Sequence, residues 1–293
     1  MLTIFISIIL LMGVTGLIFG LILAYANKKL AVELNPLIHE VEDLLPKGQC
    51  GACGYAGCQA YAEAVVIDPK VPPDLCVPGK TETARKIADL TGKKMEIREP
   101  RVAYIKCSNP ISVSSLKYKY SGINDCTAAS ILHLGPKDCQ YGCIGFGACV
   151  SHCAFGALSL DERGLPQVDE SKCTGCGKCA VACPKKIIEM IPVNAPVVVR
   201  CNSHDRGPIA RKKCPSACLG CGLCAKNADH NAIHIENNLA VIDFNTCINR
   251  CSNGCEHYDA FDKCPTKAIQ VRRRGKLAPK ETEPDNGVNE KKE

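Results

Sequence analysis

Cys173, Cys176, Cys179 and Cys183 follow one another as C-x2-C-x2-C-x3-C, with Pro184 directly after the last. Three thiolates this close together must wrap a single inorganic core. In the ferredoxin form of this run, three of them hold one [4Fe-4S] cube and the fourth reaches across to a neighbouring cube. Thr174, Gly175 and Gly177 stand between them, small residues that let backbone amides turn towards sulfur. A zinc ribbon would instead use separated C-x2-C pairs. The chemistry implied is one-electron transfer, in which cysteines hold and tune a cluster and none acts as a nucleophile.

The remaining cysteines, of 23 in 293 residues, extend the pattern. Cys50, Cys53 and Cys58, with Cys76 further on, lie among glycines at 48, 51, 54 and 57 and read as a self-contained one-cluster domain, with zinc as the alternative. Cys139-x3-Cys143-x5-Cys149-x3-Cys153 is a stretched ferredoxin run, with Ala154 where proline is usual. The crossing rule then groups Cys139, Cys143 and Cys149 with Cys183, and Cys173, Cys176 and Cys179 with Cys153. The segment from Cys153 to Leu158 aligns with that from Ala228 to Ile233, which implies a second ferredoxin-type unit. Its elements are Cys218, Cys221 and Cys224, completed by Cys264 before Pro265, and the triplet Cys247, Cys251 and Cys255. The fourth ligand of that triplet should stand at position 228, which is alanine. Cys214 could substitute, or could join Cys218, Cys221 and Cys224; a three-iron cluster or an empty structural unit are further options. The total is three [4Fe-4S] clusters and up to two more in the C-terminal unit. Cys107 and Cys126 read as buried structural thiols, and Cys201 has no assigned role.

These ligands need elements to carry them. The first 26 residues hold no charged side chain, and Leu2 to Tyr25 is long enough to cross a bilayer as one helix. The stretch lacks the basic start and the cleavage site of a signal peptide. Lys28 and Lys29 place the rest of the chain on the cytoplasmic side of the inner membrane. Asn35 and Pro36 open a short amphipathic helix with Leu37, Ile38, Val41, Leu44 and Leu45 on one face, and Pro46 ends it. A closing helix follows at Thr81 to Lys94, and Arg101–Ile105 reads as a strand.

The expected fold is α+β: a single N-terminal transmembrane helix (1–27), a small α-rich 4Fe-4S domain (32–95), a bridging region (96–138), and tandem ferredoxin-like βαβ-type modules (139–192 and 193–271). A charged, disordered tail is expected at 272–293. Only 5% of residues are aromatic and none is tryptophan, so metal must supply much of the stability. Closely spaced thiols suit a reducing compartment better than a disulfide scaffold. The formal charge of +6 counts every cysteine as neutral, and thiolate-bound cubes would cancel it, so it implies no nucleic-acid partner. No dinucleotide fingerprint, P-loop or nucleophile elbow is present, which excludes hydride and phosphoryl chemistry in this chain. The span carries no Asp, Glu, Lys, Arg or His, so ion movement falls to partner chains.

The membrane helix, the Cys50/Cys53/Cys58/Cys76 domain and the ferredoxin runs, in that order, resemble the RnfB/RsxB family of the Rnf complexes over nearly the whole chain. The resemblance implies an iron–sulfur subunit of a membrane-bound, ion-translocating oxidoreductase. Such a complex couples electron flow between ferredoxin and NAD to sodium or proton transport. The partners implied are soluble ferredoxin as donor and the other members of the Rnf complex, its A, C, D, E and G components. In the related Rsx role, the same machinery keeps a redox-sensing transcription factor reduced. The competing readings are a membrane-tethered polyferredoxin of another oxidoreductase, and a zinc or cluster sensor that passes no current.

Overall fold

The computed structural model describes residues 2–30, 35–96, 99–110, 114–228, 231–250, 263–273 and 276–277. Helix α1 (Leu2–Leu30) runs past the expected Tyr25 and through Lys28 and Lys29. Its stretch Ile4–Ala26 has a mean hydropathy of 2.6 and none of it is buried in the protein, so it is long and apolar enough to cross a membrane. Within it the Thr15 hydroxyl donates back to the Leu11 carbonyl at 2.9 Å, which removes a polar group from any lipid contact.

Three helices build the first domain. Asn35 Oδ1 accepts from the Leu37 amide at 3.0 Å to start α2 (Pro36–Leu44), as its sequence suggests. Helix α3 (Cys58–Ile67) and helix α4 (Lys80–Thr91) pack on it around Ile38, Val41, Tyr61, Val65 and Ile87. Gly92 terminates α4 in the left-handed region at φ 66°. The next residue, Lys93, turns its ammonium onto the carbonyls of Val65, Asp68 and Val71 at 2.5, 2.6 and 2.9 Å. One cation thereby satisfies the open end of α3 and ties α4 to it.

Strand β1 (Arg101–Ile105) pairs antiparallel with β4 (Ile188–Pro192), Arg101 opposite Pro192 and Ile105 opposite Ile188. Between them in the chain lies the hairpin of β2 (Leu158–Leu160) and β3 (Pro166–Val168). Strand β1, in the expected bridging region, therefore pairs with the last strand of the first ferredoxin-type unit. The apolar faces of β1 and β4 require each other, because Val102, Tyr104 and Ile191 share one buried cluster. What reads as a bridge is this first strand followed by an insertion at 106–138, which carries α5 (Cys126–Ile131).

The second unit repeats the plan. Strand β5 (Val197–Val199) pairs with β8 (Ile269–Arg273), and β6 (Ile233–Glu236) forms a hairpin with β7 (Leu239–Ile242). The repeat seen in the sequence extends to single backbone bonds: Asp169 N donates to Ala157 O and Asp243 N to Ala232 O, both at 2.8 Å. Cys173 N then bonds Asp169 O and Cys247 N bonds Asp243 O. The expected disordered tail is corrected at its start. Arg272 is 4% exposed in β8, and β9 (Lys276–Leu277) pairs with that strand. Arg272 is held there by an ion pair with Glu170 of the first unit. Residues 278–293 lie outside the described residues.

Candidate metal centres

Three stretches share one backbone design. Cys143-Ile-Gly-Phe-Gly-Ala-Cys149, Cys173-Thr-Gly-Cys-Gly-Lys-Cys179 and Cys218-Leu-Gly-Cys-Gly-Leu-Cys224 each hold both glycines at positive φ, between 63° and 92°. A side chain is poorly tolerated there, and at Gly175 a Cβ would collide with the carbonyl oxygen of Arg101. The second glycine of each stretch opens a short helix: α6 (Ala148–Ser151), α7 (Lys178–Ala182) and α9 (Leu223–Lys226). In the first stretch Phe146 occupies the place of Cys176 and Cys221. One thiol is therefore missing from that loop.

The structure gathers the cysteines into sets. Cys50, Cys53, Cys58 and Cys76 line one pocket below Tyr61. Cys179 is surrounded by Cys176, Cys173 and Cys153, and burial with those neighbours pushes its thiol up to about 11. Cys218, Cys221, Cys224 and Cys264 line another pocket. The set drawn from spacing around Cys183 comes out differently. Cys143, Cys149 and Cys183 line one pocket, but their companion is Cys126 and not Cys139. Helix α5 delivers Cys126, with Asp125 capping it by accepting from Ala128 N at 2.8 Å. Phe146 packs beside this insertion, its ring centroid 5.5 Å from that of Tyr120. The residue that displaces the loop cysteine thus helps to seat the segment that supplies another. Cys139 turns instead to a separate pocket, shared with Cys107, Cys201 and Cys214. Cys214 lines that pocket and Cys247 does not. Cys251 and Cys255 lie outside the described residues.

Backbone amides point at many of these sulfurs. Ala103 N donates to Cys173 Sγ at 3.4 Å and Ala157 N to Cys153 Sγ at 3.3 Å. Such bonds favour the thiolate and tune the potential of any cluster it holds. Burial acts the other way, pushing Cys76 up to about 11 and both Cys143 and Cys149 up to about 12. At Cys264 burial is outweighed by the amides of Ile269, Thr266 and Ala268 and by the Thr266 hydroxyl, which hold the thiol below its usual range. Without metal most of these groups keep their protons at neutral pH, so binding a cluster displaces protons.

The donor set fits an iron–sulfur cube. Four thiols ring each pocket, yet among the described residues no three cysteine, histidine or carboxylate side chains converge on a single metal ion. A tetrahedral zinc with bonds of about 2.3 Å would draw its sulfurs together. A cube binds each sulfur at a separate iron corner and keeps them apart.

Comparison with known proteins agrees. Residues 45–78 match the family described as "Putative Fe-S cluster", and residues 142–196 match the 4Fe-4S dicluster domain. The chain is 50% identical over 266 residues to the B component of the proton-translocating ferredoxin:NAD(+) oxidoreductase complex of Clostridium ljungdahlii, covering 91% of this chain and 92% of that one. This chain belongs to the RnfB family. It is also 39% identical over 259 residues to the B component of the Na(+)-translocating ferredoxin:NAD(+) oxidoreductase complex of Acetobacterium woodii, covering 88% of this chain and 75% of the relative. To the B component of the ion-translocating oxidoreductase complex of Methanosarcina acetivorans it is 36% identical over 266 residues, with 91% and 97% covered. As a member of the RnfB family the chain is an iron–sulfur electron-transfer subunit of an oxidoreductase, carrying [4Fe-4S] clusters.

Cys126 escapes a reading based on short spacing because its partners lie 17 or more positions away. The signal was still present. Aligning the three glycine-bearing loops places Phe146 opposite Cys176 and Cys221 and leaves Cys139 outside the loop. Cys107 and Cys201 carry no such signal, since each stands alone in sequence next to a strand end.

Proposed function

We propose that this chain receives electrons from soluble ferredoxin and carries them, cube by cube, to membrane partners of its complex. The observation that supports this most is that the thiol sets adjoin one another. The first domain meets the first ferredoxin-type unit where Val77, next to Cys76, lies 3.7 Å from a Cβ built on Gly175, next to Cys176. Gly51, beside Cys50, faces the Lys178 ammonium in the same way. Within that unit, Cys149 of one set feels the charge of Cys179 of the other.

Four cubes are assigned on this reading. Cys50, Cys53, Cys58 and Cys76 hold the first. Cys153, Cys173, Cys176 and Cys179 hold the second, and Cys126, Cys143, Cys149 and Cys183 the third. Cys218, Cys221, Cys224 and Cys264 hold a fourth. The protein's own work is to fix these thiolates, exclude water from them and donate amides to sulfur. The cubes supply the exchange of one electron at a time. Helix α1 anchors the chain in the cytoplasmic membrane, with Lys28, Lys29 and the clusters on the cytoplasmic side. With no Asp, Glu, Lys, Arg or His between Ile4 and Ala26, the chain supplies electrons, and the other subunits move the ion. One relative is named for proton translocation and another for sodium, so the choice of ion falls to those subunits too.

The test is anaerobic purification of the full chain in detergent, with iron and sulfide analysis and EPR after reduction by ferredoxin. About four irons per assigned set and several interacting signals are expected. Stoichiometric zinc, or clusters that reduced ferredoxin does not reduce, would reject the reading.

A further inference from the structure

Between the two ferredoxin-type units lies a pocket to which neither unit's motif points. Cys107 follows β1, Cys139 precedes the first glycine-bearing loop, Cys201 follows β5 and Cys214 caps α8 (Gly207–Lys213). All four thiols line this single pocket, although about a hundred residues separate the first from the last. We infer that Cys107, Cys139, Cys201 and Cys214 hold a further [4Fe-4S] cube that joins the two units electrically. The inference rests on the electron-carrying role proposed above.

The surroundings suit a cluster with net negative charge. Lys106, Lys137, Arg200 and Lys213 line the pocket, and among the described residues no acidic side chain does. Lys137 is only 4% exposed, a costly position for an ammonium unless negative charge lies nearby. Its ammonium donates to the neutral Asn109 carbonyl at 2.7 Å. Arg200 Nε is buried at the same place with no hydrogen-bond partner among the described residues. Lys106 pairs with Glu189 at 3.3 Å and Lys213 with Asp205 at 2.8 Å, so Lys137 and Arg200 are the cations that a thiolate-bound cube would satisfy.

The sulfurs are also prepared as the assigned ligands are. Cys143 N donates to Cys107 Sγ and Ser203 N to Cys201 Sγ, each at 3.4 Å. The amide of Cys218 also points at the Cys201 thiol. Cys143 belongs to the cube-binding set of the first unit and Cys218 to that of the second. The pocket is therefore bonded on each side to a ligand of the flanking set. Electron passage across it is one electron at a time: the flanking cube on the donor side is oxidised by one as this site is reduced. It then reduces the flanking cube beyond, with no bond broken and no proton moved.

The experiment uses the full chain, purified without oxygen. Cys107→Ala and Cys201→Ala are compared with Cys53→Ala, whose thiol belongs to an assigned set. Iron, sulfide and the EPR spectrum of the reduced protein are measured for each. Loss of between about one and four irons per chain in all three variants, with a different EPR component lost in Cys201→Ala than in Cys53→Ala, is the expected result. Iron lost from Cys53→Ala but retained in both Cys107→Ala and Cys201→Ala overturns this inference and leaves the proposed function standing. Iron unchanged in all three overturns both. Should the alanine variants not fold, iron anomalous scattering from crystals of the unaltered protein decides. A peak between Cys107 and Cys214 is expected, and peaks only at the other sets refute the inference.

Discussion

Arg272 of the second ferredoxin-type unit grips Glu170 of the first with two contacts, Nε to Oε1 at 3.1 Å and Nη2 to Oε2 at 2.6 Å. Its Nη1 also donates to the carbonyls of Pro192 and Val193 at 3.3 and 3.0 Å. Glu170 lies three residues before Cys173, so the clamp fixes the approach to a cube-binding loop of the other unit. Removing Glu170 leaves the buried Arg272 charge unmatched, and Glu170→Ala is expected to cost about 3 kcal/mol in stability. Thermal unfolding of Glu170→Ala, Arg272→Met and the double variant measures it. Costs that simply add in the double variant would show that the two side chains do not act together.

Cys126→Ala should strip iron from the first unit, while Cys139→Ala should leave the EPR signal of that cube in place. Adding Phe146→Cys to Cys126→Ala restores the thiol to the loop position held by Cys176 and Cys221, and iron should return. Iron analysis of the three proteins checks this. Failure of Phe146→Cys to recover iron would mean that the loop no longer has room for a ligand there.

Gly175→Ala combines a φ of 77° with a collision against the Arg101 carbonyl. Relief requires β1 to move away from the loop, and with it the Ala103 amide that donates to Cys173 Sγ. The expected cost is about 2 kcal/mol or more, with a shifted EPR signal for the cube of that loop. Gly54→Ala, where no atom lies within 4 Å of the new Cβ, serves as the comparison and should cost less.

Lys93→Met keeps the aliphatic stem but leaves the carbonyls of Val65, Asp68 and Val71 without their shared donor. A loss of about 2 kcal/mol is expected, confined to the first domain. Hydrogen exchange should show α3 and α4 opening while the amides of β1 and β4 keep their protection. Uniform loss across both regions would mean that the first domain does not unfold on its own.

The parts of this structure legible in sequence are those written locally. Asn35, Pro36 and Pro46 bracket α2 by cap and breaker chemistry, and the apolar run to Tyr25 declares a helix of bilayer length. The triplets at Cys173 and Cys218 are read from two-residue spacings. What spacing misses depends on pairing across distance. Strand β1 belongs with β4, more than eighty residues on, and so the insertion at 106–138 has the look of a linker. Cys126 stands beside Cys143, Cys149 and Cys183 where spacing points to Cys139 for the same reason, because a thiol's neighbours are set by where an insertion folds back. Arg272 reads as the start of a charged tail because its carboxylate partner stands about a hundred residues earlier, in another unit.

The order of ligands along the chain carries a last consequence. Cys107 and Cys214 stand outside Cys126 and Cys183, which in turn flank all four thiols proposed for the remaining cube of that unit. Cys139 alone of the outermost group falls inside the next one, and the widest group closes only once Cys214 has been synthesised. Closing a long loop costs little more entropy than closing one of half its length, so the outermost group is feasible despite its span. The inner thiol sets are therefore complete in the chain before the outermost one, and a nascent chain arrested before Cys214 would carry them with the widest group still open.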